Sequence, residues 1–210
     1  MIDLTKKLPS KKVSRTILKL KAEQNILLLM PASRPQELKY ILPTFLKTAK
    51  KLQLRYPSLV VYIPSCRRVF DEKFRKGLEK YEIKGKVISQ QDNPKLMSYI
   101  YSLTKLALCK SGTVNMELAL YGIPQIVGYR VSRVTAFIAK RILNFKVRFI
   151  SPVNLLMKKF IIPEFVQKNF NEKKIFYKAC RLLDLKSEKS KIKKGYILLK
   201  KELGDEGVVD

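Results

Sequence analysis

The chain has 210 residues, enough for one domain with a real core and short for two, and 46% of them are hydrophobic, which excludes a disordered basic tail. Lys and Arg number 44 against 17 Asp and Glu, so the net charge of +27 attracts nucleotides, anionic lipid surfaces or RNA without choosing among them. There is no histidine, which removes His-based triads, His bases and His metal ligands. Cys66, Cys109 and Cys180 are far apart and form no CxxC pair, which suits a reducing compartment.

Residues 1–25 are polar and Lys-rich and read as a linker. No signal peptide is evident, and no apolar run nears the ~20 residues needed to span a bilayer. Ile26 to Met30 is a short apolar run, as expected of a parallel strand buried on both faces. The turn Pro31-Ala32-Ser33-Arg34 follows, and Pro35 suits the first position of a helix running to about Arg55. Leu38, Ile41, Leu42, Phe45 and Ala49 share one face of that helix, and Pro43 is expected to kink or split it. Ser33 and Arg34 thus sit at a strand's carboxyl end, where open parallel sheets bind ligands and an Arg can fork onto a diphosphate.

The rhythm repeats. Leu59 to Pro64 reads as a strand, Val69 to Tyr81 as a helix, Lys86 to Ile88 as a short strand, and Asn93 to Ser102 as a helix after a turn at Asp92-Asn93-Pro94. Leu106 to Cys109 is the strand entering the central motif, CKSGTVNMELALYGIPQIVGYR. Ser111-Gly112 makes a tight turn, and Thr113 to Tyr121 is helical with Val114, Leu118 and Tyr121 on its apolar face. Gly122 is placed for a left-handed cap, with Pro124 beyond it and Gln125 to Tyr129 as the next strand. A helix start offers unpaired N–H donors to a diphosphate, and Thr113 and Glu117, four residues apart, face the same way. A hydroxyl near the phosphates and a carboxylate one turn on suit a phosphorylated sugar or a ribose diol. The same pattern is also that of an ordinary capped strand–turn–helix. Alternating strands and helices at this spacing predict an α/β, Rossmann-like doubly wound parallel sheet, although no GxGxxG and no Walker lysine loop is present.

Beyond Arg130, Ser132 can cap a helix bearing Val134, Phe137, Ile138, Ile142 and Phe145 with basic flanks, a pattern shared by sheet-packed helices and by helices lying on an anionic membrane. Phe149 to Glu164 reads as a final strand and a loop, with Pro163-Glu164 starting a return helix. Residues 171–203 read as two helical segments, the second very Lys-rich, lying on the surface or partly frayed.

SGTVNMELALYGIPQIVGYRVS, with ASR upstream, SPVNLL downstream and the closing LGDEGVVD, resembles the carboxy-terminal half of lipid-A-disaccharide synthases, GT-B-type glycosyltransferases, over about Ile26 to Gln167. Ala32 stands where the family usually has Gly, and Lys158-Lys159-Phe160 departs from its Gly-Arg-Glu. The resemblance implies one carboxy-terminal-type GT-B domain at 26–170, after a 1–25 linker and before a 171–210 helical segment. It implies a UDP-2,3-diacylglucosamine donor, a 2,3-diacylglucosamine 1-phosphate acceptor, and release of UDP. The implied donor residues are Ser33, Arg34, Ser111, Gly112, Thr113, Glu117, Arg130 and Asn154. Arg34, the Gly112-Thr113 helix start and Arg130 would face the diphosphate, and Glu117 the ribose. Asn154 matches a family residue near the donor, or instead holds its loop by side-chain hydrogen bonds.

No metal or cofactor is called for, since no paired carboxylates or DxD motif lies at the phosphate site. The catalytic base is expected from an amino-terminal half, supplied separately. The expected setting is cytoplasmic, with a place on the inner face of an anionic membrane left open. A non-catalytic nucleotide-sugar-binding remnant and a basic RNA-binding protein are the alternatives. The second is disfavoured because aromatics are not interleaved with the basic clusters.

Overall fold

The computed structural model describes residues 7–32, 34–89, 95–132 and 148–204. The fold is organised by a six-stranded, wholly parallel sheet in the order β3-β2-β1-β4-β5-β6. The strands are β1 (Asn25–Met30), β2 (Leu59–Ser65), β3 (Gly85–Ser89), β4 (Thr104–Lys110), β5 (Gln125–Tyr129) and β6 (Glu164–Val166). The central strands are apolar because helices cover both faces: Ile26 to Leu29 and Leu106 to Cys109 are fully buried.

The helices among the described residues are α1 (Lys11–Leu18), α2 (Pro35–Arg55), α3 (Asp71–Lys80), α4 (Leu96–Leu103), α5 (Val114–Leu120), α6 (Pro152–Met157), α7 (Glu172–Asp184) and α8 (Lys186–Glu202). On one face α2 packs with α3 and α7, and on the other α1 packs on α4 while α5 meets α6 and α8. Gly128 of β5 is required by this packing. A Cβ there would lie 2.2 Å from the Phe170 ring, which itself stands edge-on to Phe45 of α2.

The α/β doubly wound sheet expected from the sequence is present, and several local expectations are corrected, among them the reading of 149–164 as a strand and a loop, since that stretch carries α6. Residues 1–25, read as a linker, carry α1, which is capped by Ser10 and buries Ser14 and Leu18. The Ser14 hydroxyl accepts from Ser102 of α4 at 2.6 Å. Only two inward residues in a Lys-rich segment give too weak a period to read. Pro163-Glu164 opens β6 rather than a helix, because Val127 donates to the Pro163 carbonyl and so draws the segment alongside β5. Helices α7 and α8 are not a frayed tail, since Ile175, Ala179, Leu182, Ile192, Tyr196 and Leu199 are all buried.

Pro43 neither splits nor ends α2, which runs unbroken from Pro35 to Arg55 with that ring exposed. The five predicted inward residues of α2 are buried and outweigh one missing backbone bond. The basic helix expected after Ser132 falls outside the described residues, as do Ser33, the turn at Asp92-Asn93-Pro94 and the closing DEGVVD beyond Gly204.

Candidate functional site

In this strand order the chain's direction of travel across the sheet reverses between β1 and β4, which leaves a crevice beyond their carboxyl ends. Met30 lies opposite Cys109 in that register, so the loop leading to Arg34 and the turn Ser111-Gly112-Thr113 share one edge. Tyr129 ends β5 on the same edge, and Arg130 follows it, exposed. Arg34 is also exposed and begins α2, its backbone carbonyl accepting from Leu38.

The turn after β4 is fixed from beneath. Asn115 is fully buried, and its side-chain oxygen accepts from the Gly112 N–H at 2.9 Å while its amide donates to the Lys110 carbonyl at 3.2 Å and to Gln125 Oε1 at 3.1 Å. Gln125 in turn donates to the Tyr196 hydroxyl of α8 at 3.1 Å, and that hydroxyl donates to the Ile123 carbonyl at 3.0 Å. A buried chain of this kind rigidifies what it touches when every member is satisfied. Gly122 has φ 69° and closes α5, with Gly122 N–H on the Ala119 carbonyl and Ile123 N–H on that of Leu118.

The same bonds decide which donors remain for a ligand. Gly112 N–H is taken by Asn115, and Asn115 and Met116 N–H groups bond back to the carbonyls of Gly112 and Thr113. Among the described residues, the N–H groups of Thr113 and Val114 at the opening of α5 have no such partner. The Ser111 hydroxyl donates to the Ile150 carbonyl and so ties the turn to the segment before α6.

Glu117 lies one turn further on, half-buried between α5 and α4, where the Tyr101 hydroxyl donates to it. Burial raises its pKa above the ordinary carboxylate value, and the hydrogen bond from Tyr101 only partly opposes that. Burial also raises the Tyr101 hydroxyl, with the Glu117 charge adding to it, and raises the Cys109 thiol, which makes that cysteine an inert core residue.

Asn154 is placed differently. It is fully buried in α6, accepts from Ile161 and Ile162 N–H at 2.8 and 3.0 Å, and donates to the Ile162 carbonyl at 2.8 Å and to Glu164 at 2.7 Å. The Glu164 carboxylate also accepts from Ile150 N–H, Ser151 N–H and the Ser151 hydroxyl, at 2.8, 2.9 and 2.6 Å. The loop-holding alternative is therefore the one its geometry favours.

Two crevice residues were not among the expected site residues. Lys110, the last residue of β4, points to the α2 face and meets Glu37 in the first turn of α2 at 2.7 Å, both side chains largely buried. A lysine in phase with the inward Leu106 and Leu108 was the available signal. Among the described residues no group of three His, Cys, Asp or Glu side chains could hold a metal, and no helix is long and apolar enough to cross a membrane.

This strand order, with a fixed turn and an exposed Arg at the reversal, defines a doubly wound α/β domain of Rossmann type. Solved structures of the same fold narrow the class. The C-terminal domain of a group 1 glycosyl transferase (LpcC) from Francisella tularensis matches with TM-score 0.61 at 13% identity, covering 95% of this chain and 96% of that one. WaaG, described as a glycosyltransferase involved in lipopolysaccharide biosynthesis, matches with TM-score 0.58 at 14% identity, covering 92% of this chain but 47% of that one. The fold is that of a GT-B carboxy-terminal domain.

The family follows from sequence. The model for lipid-A-disaccharide synthetase matches residues 1–208, and the chain belongs to that family. The lipid-A-disaccharide synthase of Prochlorococcus marinus (strain MIT 9313) is 43% identical over all 210 residues, and that of Gloeothece citriformis (strain PCC 7424) is 33% identical over the same span. The chain covers 54% and 53% of those two proteins, about half their length.

Proposed function

We propose that these residues form the donor-binding half of a lipid-A-disaccharide synthase. This half would hold UDP-2,3-diacylglucosamine while its sugar passes to 2,3-diacylglucosamine 1-phosphate. The observation that carries the reading is the shared edge of Arg34 and the Ser111-Gly112-Thr113 turn at the sheet reversal. In the reaction the acceptor hydroxyl bonds to the anomeric carbon, the bond from that carbon to the diphosphate oxygen breaks with its electrons going to UDP, and a base takes the hydroxyl proton. Arg34 and the N–H groups of Thr113 and Val114 stabilise the charge gathering on UDP, with Arg130 at the rim. Glu117 accepts from the ribose hydroxyls.

Asn154 and Ser111 are left out of the contact set because their side chains are spent inside the protein. The acceptor's base is assigned to a second half, for which the relatives' length leaves room. An acylated donor also suits work at an anionic membrane surface, for a chain of net charge +27. Product formation on lipid micelles, with and without the amino-terminal half of a relative, tests the division of labour. The expected result is UDP binding by the 210 residues alone and disaccharide only with the second half. Robust turnover by the chain alone would overturn it.

A further inference from the structure

We infer that Lys110 is a second cation of the donor site, held in place by Glu37, and takes a phosphate oxygen of the nucleoside diphosphate. The inference rests on the donor-site reading above and adds a residue pair to it. Lys110 ends β4 immediately before Ser111, and Glu37 lies in the first turn of α2, three residues past Arg34. The pair therefore bridges the two loops that flank the crevice, with Nζ to Oε1 at 2.7 Å. The Lys110 side chain keeps 20% of its surface open and that of Glu37 12%, so the pair is not sealed from solvent.

Stability does not account for the pair. The other carboxylate oxygen of Glu37 is buried with no hydrogen-bond partner among the described residues. Replacing a largely buried ion pair by apolar side chains of similar size is often neutral or stabilising, so a pair with an unfilled acceptor is weak evidence of a stabilising role. An ammonium has three donor hydrogens, and Glu37 Oε1 engages one of them. Fixing a cation by a carboxylate on the neighbouring helix presents its remaining hydrogens without the rotamer entropy that a free lysine loses on binding. Glu37 is thus a positioning residue, and Lys110 the contact.

Calorimetric titration with UDP on five proteins tests this: the parent, Lys110→Met, Lys110→Arg, Glu37→Gln, and the double variant Glu37→Gln/Lys110→Met. Lys110→Met should weaken UDP binding at least about tenfold, the scale of one charge-assisted hydrogen bond. Lys110→Arg should recover part of that loss. Glu37→Gln should weaken UDP by less, and adding it to Lys110→Met should cost nothing further, because the carboxylate acts only through the ammonium. The double variant removes the orphaned carboxylate and should recover the parent's thermal stability while staying about tenfold weak for UDP. It also decides the matter where Lys110→Met alone does not fold. A double variant that binds UDP as tightly as the parent would show that Lys110 only neutralises Glu37, sinking this inference and leaving the donor site intact. A parent that binds no UDP overturns the donor-site reading itself, and this inference with it.

Discussion

The loop around Asn154 and the crevice between β1 and β4 both hold polar side chains at positions where the family resemblance points to the donor. Counting hydrogen bonds separates them. Around Asn154 each polar atom is matched: its amide has four bonds, and Glu164 gathers donors from Ile150, Ser151 and Asn154. At the crevice Arg34 is exposed, and among the described residues the Thr113 and Val114 N–H groups at the opening of α5 have no partner. A matched group builds the protein, whereas a group left with spare capacity at a sheet reversal is available to a ligand. The two regions also touch, through the Ser111 hydroxyl on the Ile150 carbonyl, so the built loop serves as a buttress for the open one.

The largest effect that could break this contrast is on stability. Asn154→Ala would orphan two N–H groups, a carbonyl and part of the Glu164 shell, buried or half-buried, and should destabilise the domain by about 4 kcal/mol. Denaturant unfolding measures the loss, and UDP affinity of the protein that remains folded should be unchanged. A stable Asn154→Ala protein with weakened UDP binding would move Asn154 back to the donor. Arg34→Ala is the converse case. Arg34 makes no cap bond with its side chain and is exposed, so the melting temperature should hold while UDP binding falls by about 2 kcal/mol. Unchanged UDP affinity there would remove Arg34 from the phosphates.

The layout was legible where period and punctuation agree. β5 falls at Gln125–Tyr129 as its sequence indicates, α2 buries its five expected residues, and Gly122 adopts the left-handed cap that Pro124 announces. The crevice was legible too, because turn residues after β1 and β4 mark the strand ends that a parallel sheet gathers on one edge. Three things were not legible, each for a different reason. α1 has only Ser14 and Leu18 buried, so its inward stripe is two residues long. β6 is three residues whose pairing with β5 is a tertiary fact, with no alternation of its own to show. The Glu37–Lys110 pair joins residues 73 positions apart, and nothing local marks either as a partner of the other. Asn154 marks the converse limit. Its position matched a family motif, but residue type alone does not say whether an amide is spent on a ligand or on its own loop.

The smallest expected effect concerns Glu117, which stands between the two regions in character, half-buried yet assigned to the ribose. Burial raises its folded-state pKa above the ordinary 4.5, so the fold favours the protonated form. The sign for stability follows. The contribution of this group is fully present below the unfolded pKa and is lost as pH rises from there through the raised folded value. The sign for the ligand is opposite, because a ribose hydroxyl donates to a carboxylate and gains less from a carboxyl that has taken up a proton. Acid should therefore weaken UDP binding over the same interval in which it relieves the cost of the buried charge. Glu117→Gln keeps the shape and the bond from Tyr101 and removes the titration. It should lower UDP affinity by about 1 kcal/mol at neutral pH, leave pyrophosphate affinity unchanged, and abolish the acid step in the UDP profile. Titrations of parent and variant with both ligands, from pH 7 downward, read all three. Equal losses for UDP and pyrophosphate, or an acid step that survives in Glu117→Gln, would take the carboxylate off the ribose and leave it as a partner of Tyr101 alone.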